Sequence, residues 1–456
     1  MAPSLSVSAA CDAFADLPYL ALLDSALPHP VLGRFSYLAA DPFLVLRSKG
    51  TSMELVSGDG TQHLEGDPFA VLQSLLRQYR LKSVHDLPPF QGGAIGHFAY
   101  ELSHHLEHLP RNAADDLGLP EMAVAFYDWL IAWDHATNSV WAIVTGLPDG
   151  DSRQAQERLS WIEERLQNAP LTSTSQALSI AASNLRSNFT RAQYIEAVKA
   201  VKEYLYQGDV YQVNISQRFE ASISSSPWDL YLRLRRVNPA PFAAYLRYPE
   251  VAVLSASPEE FLRLENGVVT TRPMKGTRPR GKDTEDDRRL AAELLASEKD
   301  HAENLMIVDL MRNDLGKVCE IGSVQVPEMF IVEKYAKVFQ MVSTVQGKLR
   351  PSLDAVDLLR ACFPGGSVTG APKIRAMEII DELEPTQRSV YCGAIGYIGF
   401  DGTMRTAVPI RIMLVKDNHV YFQVGGGIVA DSDPDAEYEE TMDKARGSME
   451  ALGIHG

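Results

Sequence analysis

The chain has 456 residues, 45% of them hydrophobic and 22% charged, with a formal net charge of -16. That balance describes a globular protein with enough chain for a large core, and it excludes the basic footprint of a nucleic-acid binder. Apolar runs such as Met122 to Trp133 are broken by Asp128 well short of a membrane span. The start, Met-Ala-Pro-Ser, has no basic leader. Cys11, Cys319, Cys362 and Cys392 are scattered, with no CxxC pair, so neither a zinc site nor a redox pair is expected. A reducing, cytoplasmic location is the expectation.

In chain order, residues 17–145 predict mixed strands and loops. The run Gly92 to Tyr100 is glycine-rich and apolar, which suits closely packed backbone. Trp129–Trp133 and Ser139–Val144 predict a strand pair, and a helix follows from Asp151 to Asn168 with Leu159, Ile162 and Leu166 on one face. Residues 169–188, rich in Ser, Thr, Ala and Asn, lack periodicity and read as a linker. They divide an N-terminal region, 1–168, from a second part, 189–456. There Thr190 caps a helix reaching Gln207, with Tyr194, Val198, Val201 and Leu205 at helical spacing. Asn266-Gly267 signals a hairpin between Phe261–Leu264 and Val268–Thr271, and Asp401-Gly402 another between Tyr391–Phe400 and Thr403–Val415. Val420–Val424 adds a strand. Helices are expected over 284–318 with a break, 372–383 and 436–452. Hairpins beside long helices read as an α+β fold.

Lys275 stands out within Thr271-Arg272-Pro273-Met274-Lys275-Gly276-Thr277. Pro273 fixes its own φ and Gly276 opens backbone angles closed to other residues, so the lysine sits at a stiff bend. Counting outward from Asn266-Gly267 pairs Glu265 with Val268 and sets Glu259 opposite Met274, which brings Glu259 and Lys275 to one end of the hairpin. A carboxyl beside an amine suits acid and nucleophile roles; an exposed cross-strand ion pair worth little is the plainer reading.

Two acidic helices follow. In His301 to Asp314, Glu303 shares a face with Ile307 and Leu310, which is costly for a carboxylate unless it is paired or metal-bound. Asp300 lies one turn earlier, where the helix dipole alone would favour it. In Glu437 to Lys444, Tyr438, Met442, Ala445, Met449 and Leu452 make a core stripe, and Glu437, Glu440 and Lys444 a ridge beside it. That ridge is either a solvated face or, with Glu303, a site for a hard cation such as Mg²⁺. Phe363-Pro-Gly-Gly-Ser-Val-Thr-Gly-Ala-Pro-Lys373 leads into a helix whose amides suit a carboxylate. It is not a Walker loop, because Gly370 is followed by Ala-Pro. Gly425-Gly426-Gly427 precedes the last acidic helix.

As an ordered set, Tyr211-Gln212-Val213-Asn214, Ser257-Pro258-Glu259, Pro273 to Thr277, Ala302-Glu303-Asn304 to Asp314, Gly365 to Lys373 and Gly425 to Lys444 resemble the chorismate-utilising enzymes over roughly residues 190–450. Leu22-Leu23-Asp24-Ser25 resembles the Leu-Leu-Glu-Ser element in the N-terminal region of the aminating members. The resemblance implies a large antiparallel β-sheet sandwich flanked by helices. Water-using members carry a lysine where this chain has Gln212, and anthranilate synthases an alanine where it has Lys275. The combination Gln212 and Lys275 is the pattern of members that aminate chorismate to 4-amino-4-deoxychorismate, on the route to 4-aminobenzoate and folate.

The resemblance implies Mg²⁺ on Glu303 and Glu440, with Asp300 and Glu437 acting through waters. Lys275 would attack C2 of chorismate, and Glu259 would protonate the departing C4 hydroxyl. Ammonia would then attack C4 and expel the lysine. Gln212, Thr277, Gly366, Thr369, Tyr391, Arg411, Gly425, Gly427 and Lys444 fall at substrate-contacting positions, with Arg411 as a carboxylate clamp. The family often has histidine just before Val-Ser-Thr; here the run is Val338-Phe339-Gln340-Met341-Val342-Ser343-Thr344, and Gln340 cannot exchange a proton. With no glutaminase signature, the resemblance implies ammonia from a separate glutamine amidotransferase subunit. It leaves open tryptophan in the N-terminal region. The alternatives are anthranilate synthase chemistry, a catalytically silent chorismate-binding subunit and, disfavoured by the failed Walker pattern, nucleotide binding.

Overall fold

The computed structural model describes residues 5–27, 32–168, 182–335 and 338–454. Two antiparallel sheets dominate it, one of 11 strands and one of 12. The period-2 alternation of strands sorts side chains to opposite faces. In Trp129–Asp134, Leu130 and Ala132 join the larger core, while Trp129, Ile131 and Trp133 join a second one. The larger core draws on both sheets, with Val213 and Ile215 from one and Leu262 and Tyr397 from the other. The second core lies under helices Val7–Ala13, Ser152–Gln167, Pro227–Val237 and Pro434–Ala451. The expected α+β sandwich with flanking helices is what the chain forms.

Local signals hold in most elements. Asp151 caps the helix Ser152–Gln167, and Thr190 with Gln193 forms a full capping box on Arg191–Gln207. The long helical stretch breaks into Thr284–Leu295 and Glu298–Gly316, the second capped by Ser297.

Four expectations need correction. The Asn266-Gly267 hairpin keeps its register only for Glu265↔Val268, Leu264↔Val269 and Arg263↔Thr270. Beyond it Pro273 interrupts pairing, and Met274 pairs with Val342 instead of facing Glu259. The run after Asp401-Gly402 is two strands in different sheets, Met404–Ala407 and Ile412–Lys416, separated at Pro409. Within the linker, residues 169–181 lie outside the described residues, and Ala182–Ser187 is an edge strand paired with Gln212–Ile223. On the last helix Tyr438 and Met442 are half-buried, and Thr441 and Ser448 take the buried positions, as does Glu437.

Strands from before and after the linker share both sheets. Ala21–Asp24 pairs with Phe242–Arg247, and Gly93–Phe98 pairs with Ala394–Gly399. Trp129, fully buried against Phe14 and Trp161 with ring centres 5.0 and 5.9 Å away, anchors the second core. Trp129→Ala should therefore cost about 3–5 kcal/mol in a urea unfolding curve.

Candidate active site

Two crossovers between the sheets build the site. The chain leaves one sheet after Ala252–Ser257 and enters the other at Glu260–Glu265, so Pro258 and Glu259 form a corner. It crosses back between Met404–Ala407 and Ile412–Lys416, where Arg411 adopts a left-handed φ of 54°. The corners are laced together: the Val408 amide donates to the Glu259 carbonyl at 3.1 Å, and the Ser257 hydroxyl donates to the Val408 carbonyl at 2.5 Å.

Glu259 is 5% exposed, and its Oε1 accepts from the Ser367 hydroxyl at 2.6 Å. Burial pushes its carboxyl up to about 7, although Ser367, Lys275 and the Met274 amide pull the other way. Lys275 sits in the strand Met274–Pro279, ahead of Gly276 with φ 82°. A Cβ on Gly276 would lie 3.0 Å from the Asp300 carboxyl, which keeps the bend tight against the helix Glu298–Gly316. The residue is half-buried, but its amine is enclosed. That enclosure lowers its pKa and Lys444 lowers it further, against the opposing pull of Glu303, Glu259 and Glu440. Burial thus disfavours both charges, shifting the carboxyl toward its protonated form and the amine toward its neutral one.

The two acidic helices meet at the same place. Glu303 is raised by burial, opposed by Lys275 and Lys299. Glu437 is raised by burial, opposed first by the Ser432 hydroxyl, which donates to it at 2.6 Å. Burial also pushes Glu440 up, but Lys444, 2.6 Å away, brings it below its ordinary value with help from Lys275. Asp300 pairs with Arg278 at 3.1 Å. All the donors are carboxylate oxygens, which suit a hard cation. Among the described residues no three His, Cys, Asp or Glu side chains already converge on one point; Mg²⁺ takes few carboxylates and completes its shell with water and substrate oxygens.

The remaining expected positions line this end of the sandwich unevenly. Gln212 is fully buried at the start of Gln212–Ile223, and neither of its amide atoms has a hydrogen-bond partner among the described residues. It lies against Gly427, where a Cβ would stand 2.3 Å from its Nε2, so any larger residue there would push the Gln212 side chain aside. Thr369 is buried and donates to the Gly365 carbonyl at 3.0 Å, just after the 3-10 turn Gly366–Val368. Tyr391 is buried too. The Lys444 ammonium donates to the Gly425 carbonyl at 2.9 Å. Burial lowers the Arg411 pKa, and among the described residues no carboxylate pairs with it. Thr277 is exposed on the edge strand, paired with Gln340, whose buried Oε1 has no hydrogen-bond partner among the described residues.

Sequence reasoning passed over Ser367, Lys299 and Ser432. Ser367 lay inside the glycine-rich motif, and Lys299 stands four residues before Glu303 at 3.9 Å. The Leu22–Ser25 motif is also in place: Asp24 is buried and accepts from Ser36, Tyr231 and Arg235.

A sandwich whose crossovers bury an acid, an amine and an arginine beside two acidic helices belongs to one known class. The chain is a member of the chorismate binding enzyme family, whose model matches residues 35–450. It is 46% identical over 437 residues to aminodeoxychorismate synthase component 1 of Salmonella typhimurium, covering 96% of this chain and 93% of that protein. It is 39% identical over 451 residues to anthranilate synthase component 1 of Pseudomonas aeruginosa, covering 96% and 91%. The crystal structure of anthranilate synthase component I from Streptococcus pneumoniae superposes with a TM-score of 0.82 at 33% identity, over 92% of this chain and 93% of that one.

Because the folded pKa of Glu259 stands above its ordinary 4.5, its ionisation opposes folding, and this contribution lowers stability as pH rises from about 4.5 to about 7. Denaturant titrations across that range should show Glu259→Gln losing less stability than the parent. Parallel curves would mean the carboxyl is not held protonated.

Proposed function

We propose that the chain converts chorismate and ammonia to 4-amino-4-deoxychorismate, as the amination component of an aminodeoxychorismate synthase. The observation that carries the reading is Lys275, an enclosed amine with a lowered pKa, near Glu259, a buried carboxyl with a raised one. The Salmonella relative supports the same product. In this reading the Lys275 lone pair attacks C2, both conjugated ring double bonds shift, and the C4 hydroxyl departs as water with the Glu259 proton. Ammonia then attacks C4, both double bonds shift back, and the amine of Lys275 is released.

Arg411, free of carboxylates among the described residues, takes the side-chain carboxylate in a two-pronged contact. Gln212, Gly366, Thr369, Tyr391, Gly425, Gly427 and Lys444 wall the ring, and Thr277 lies at the rim. Mg²⁺ fits Glu303 and Glu440, with Asp300 and Glu437 outside them, and when bound it would offset charge on the ring carboxylate.

The ammonia comes from a partner glutamine amidotransferase in this reading. All four cysteines are free and buried. Burial raises Cys319 to about 11 and Cys392 to about 12, and it raises Cys11 and Cys362 as well, which suits none of them to nucleophilic work. No helix among the described residues is long and apolar enough to cross a membrane, and we place the reaction in the cytoplasm. Whether tryptophan binds near Leu22–Ser25, where Asp24 pairs with Arg235, is read by equilibrium dialysis with labelled tryptophan.

Incubation with chorismate, ammonium and Mg²⁺ should yield 4-amino-4-deoxychorismate, and anthranilate with pyruvate as main products would overturn the assignment. Lys275→Ala should slow amination by at least roughly 10³-fold and abolish a chorismate adduct detected by mass spectrometry. Glu259→Gln should slow it by roughly 10²–10⁴-fold. Since the acid must be protonated, the parent rate should fall as pH rises through about 7.

A further inference from the structure

Arg388 is 2% exposed, and its guanidinium is spent on three separate segments. Nε and Nη2 donate to the two oxygens of Glu384 at 2.9 and 2.6 Å. Nη1 donates to the Val368 carbonyl at 2.9 Å and Nη2 to the Asn214 carbonyl at 2.7 Å. Glu384 in turn accepts from the Ser216 amide at 2.8 Å and its hydroxyl at 2.9 Å. The guanidinium carbon lies 4.9 Å from the Tyr100 ring centre and 6.0 Å from that of Tyr391.

A second carboxylate fixes the backbone of the same turn. Glu101, 4% exposed on the 3-10 helix Tyr100–His105, accepts from the amides of Arg388 at 2.8 Å and Ser389 at 3.2 Å. The Tyr100 amide donates to the Ser389 carbonyl at 2.7 Å. Ser389 and Cys392 hold left-handed φ values of 54° and 64°, a conformation that persists only where the surroundings enforce it.

Each segment so tied carries a residue assigned to the substrate. Asn214 is two residues from Gln212, Val368 adjoins Thr369, and Tyr391 follows Arg388 by three. A planar, permanently charged fork is the side chain suited to fixing several carbonyls at once. We propose that Arg388 and Glu101 are positioning residues for the amination: Arg388 sets the spacing of the three segments that hold chorismate against Lys275 and Glu259, and Glu101 fastens that fork to the N-terminal region. The inference rests on the amination reading above.

The test uses the full chain with ammonium chloride, Mg²⁺ and chorismate, and counts chorismate-binding sites by equilibrium dialysis so that kcat is expressed per competent site. Arg388→Lys should lower kcat per site about 10²-fold, the size of effect that a misplacement near 1 Å produces. Glu101→Leu, which removes a buried carboxyl without removing the guanidinium, should lower it about 10-fold by the same argument, and Glu101→Gln, which keeps the acceptor oxygen, should restore it to within about threefold. A purely structural role would reduce the number of binding sites and leave kcat per site at the parent value; that result in Glu101→Leu overturns the proposal even if Arg388→Lys does not fold. Failure of the parent itself to aminate is seen before any variant is made and overturns the underlying reading instead.

Discussion

Burial where the chain crosses between the sheets shifts the balance between an ion pair and a neutral pair at Glu259 and Lys275. In water an amine and a carboxyl side by side would form an ion pair. Inside this site desolvation works against both charges, so the neutral pair gains on the ionic one. A protonated acid and an amine with a free lone pair are the two states that displacement of a hydroxyl by nitrogen demands. The Ser367 hydroxyl and the Met274 amide oppose the effect at Glu259 and temper it, which keeps the carboxyl near neutrality where it can both give up and regain a proton.

The surrounding charges are balanced in the same way. Two helices bring Glu303, Glu437 and Glu440 together, and Lys275, Lys299 and Lys444 lie among them. The lysines offset a repulsion that would otherwise drive the helix ends apart. A dianionic substrate entering this field meets Arg411 without a competing carboxylate among the described residues, while a cation meets the acids. Under the amination reading, the acids would draw the cation and Arg411 the substrate's carboxylate, so charge as well as shape would orient the substrate.

Much of this was legible in the sequence because the motifs carry their own geometry. The capped helices, the α+β class and the convergence of Lys275, Glu259, Glu303 and Glu440 followed from spacing and resemblance. The hairpin count reached the right neighbourhood by a wrong path. Glu259 and Lys275 are near because one lies at a crossover between sheets and the other on a strand that pairs elsewhere, neither of which local turn chemistry encodes. The edge strand Ala182–Ser187 was missed because its two apolar residues, Ala182 and Leu185, stand three apart across a register shift and so lack the alternation that marks a half-buried strand. Ser367, Lys299 and Arg388 acquire meaning only from partners distant in the chain or one helical turn away, and no single-residue pattern announces them.

The mixing of early and late strands in both sheets has a consequence for how the molecule comes into being. Leu22 pairs with Tyr245, and Ile95 with Tyr397, about 220 and 300 residues further along. Contacts of such sequence separation carry a large loop-closure cost and form late. As the chain emerges from synthesis, the first 168 residues expose strand edges whose partners have not yet been made, a state prone to wrong pairing. The crossover that seats Glu259 is complete only when Val408 to Ile412, about 150 residues further along, has joined it. Closure of that corner therefore waits on a contact of long sequence separation, which places it among the later events of folding.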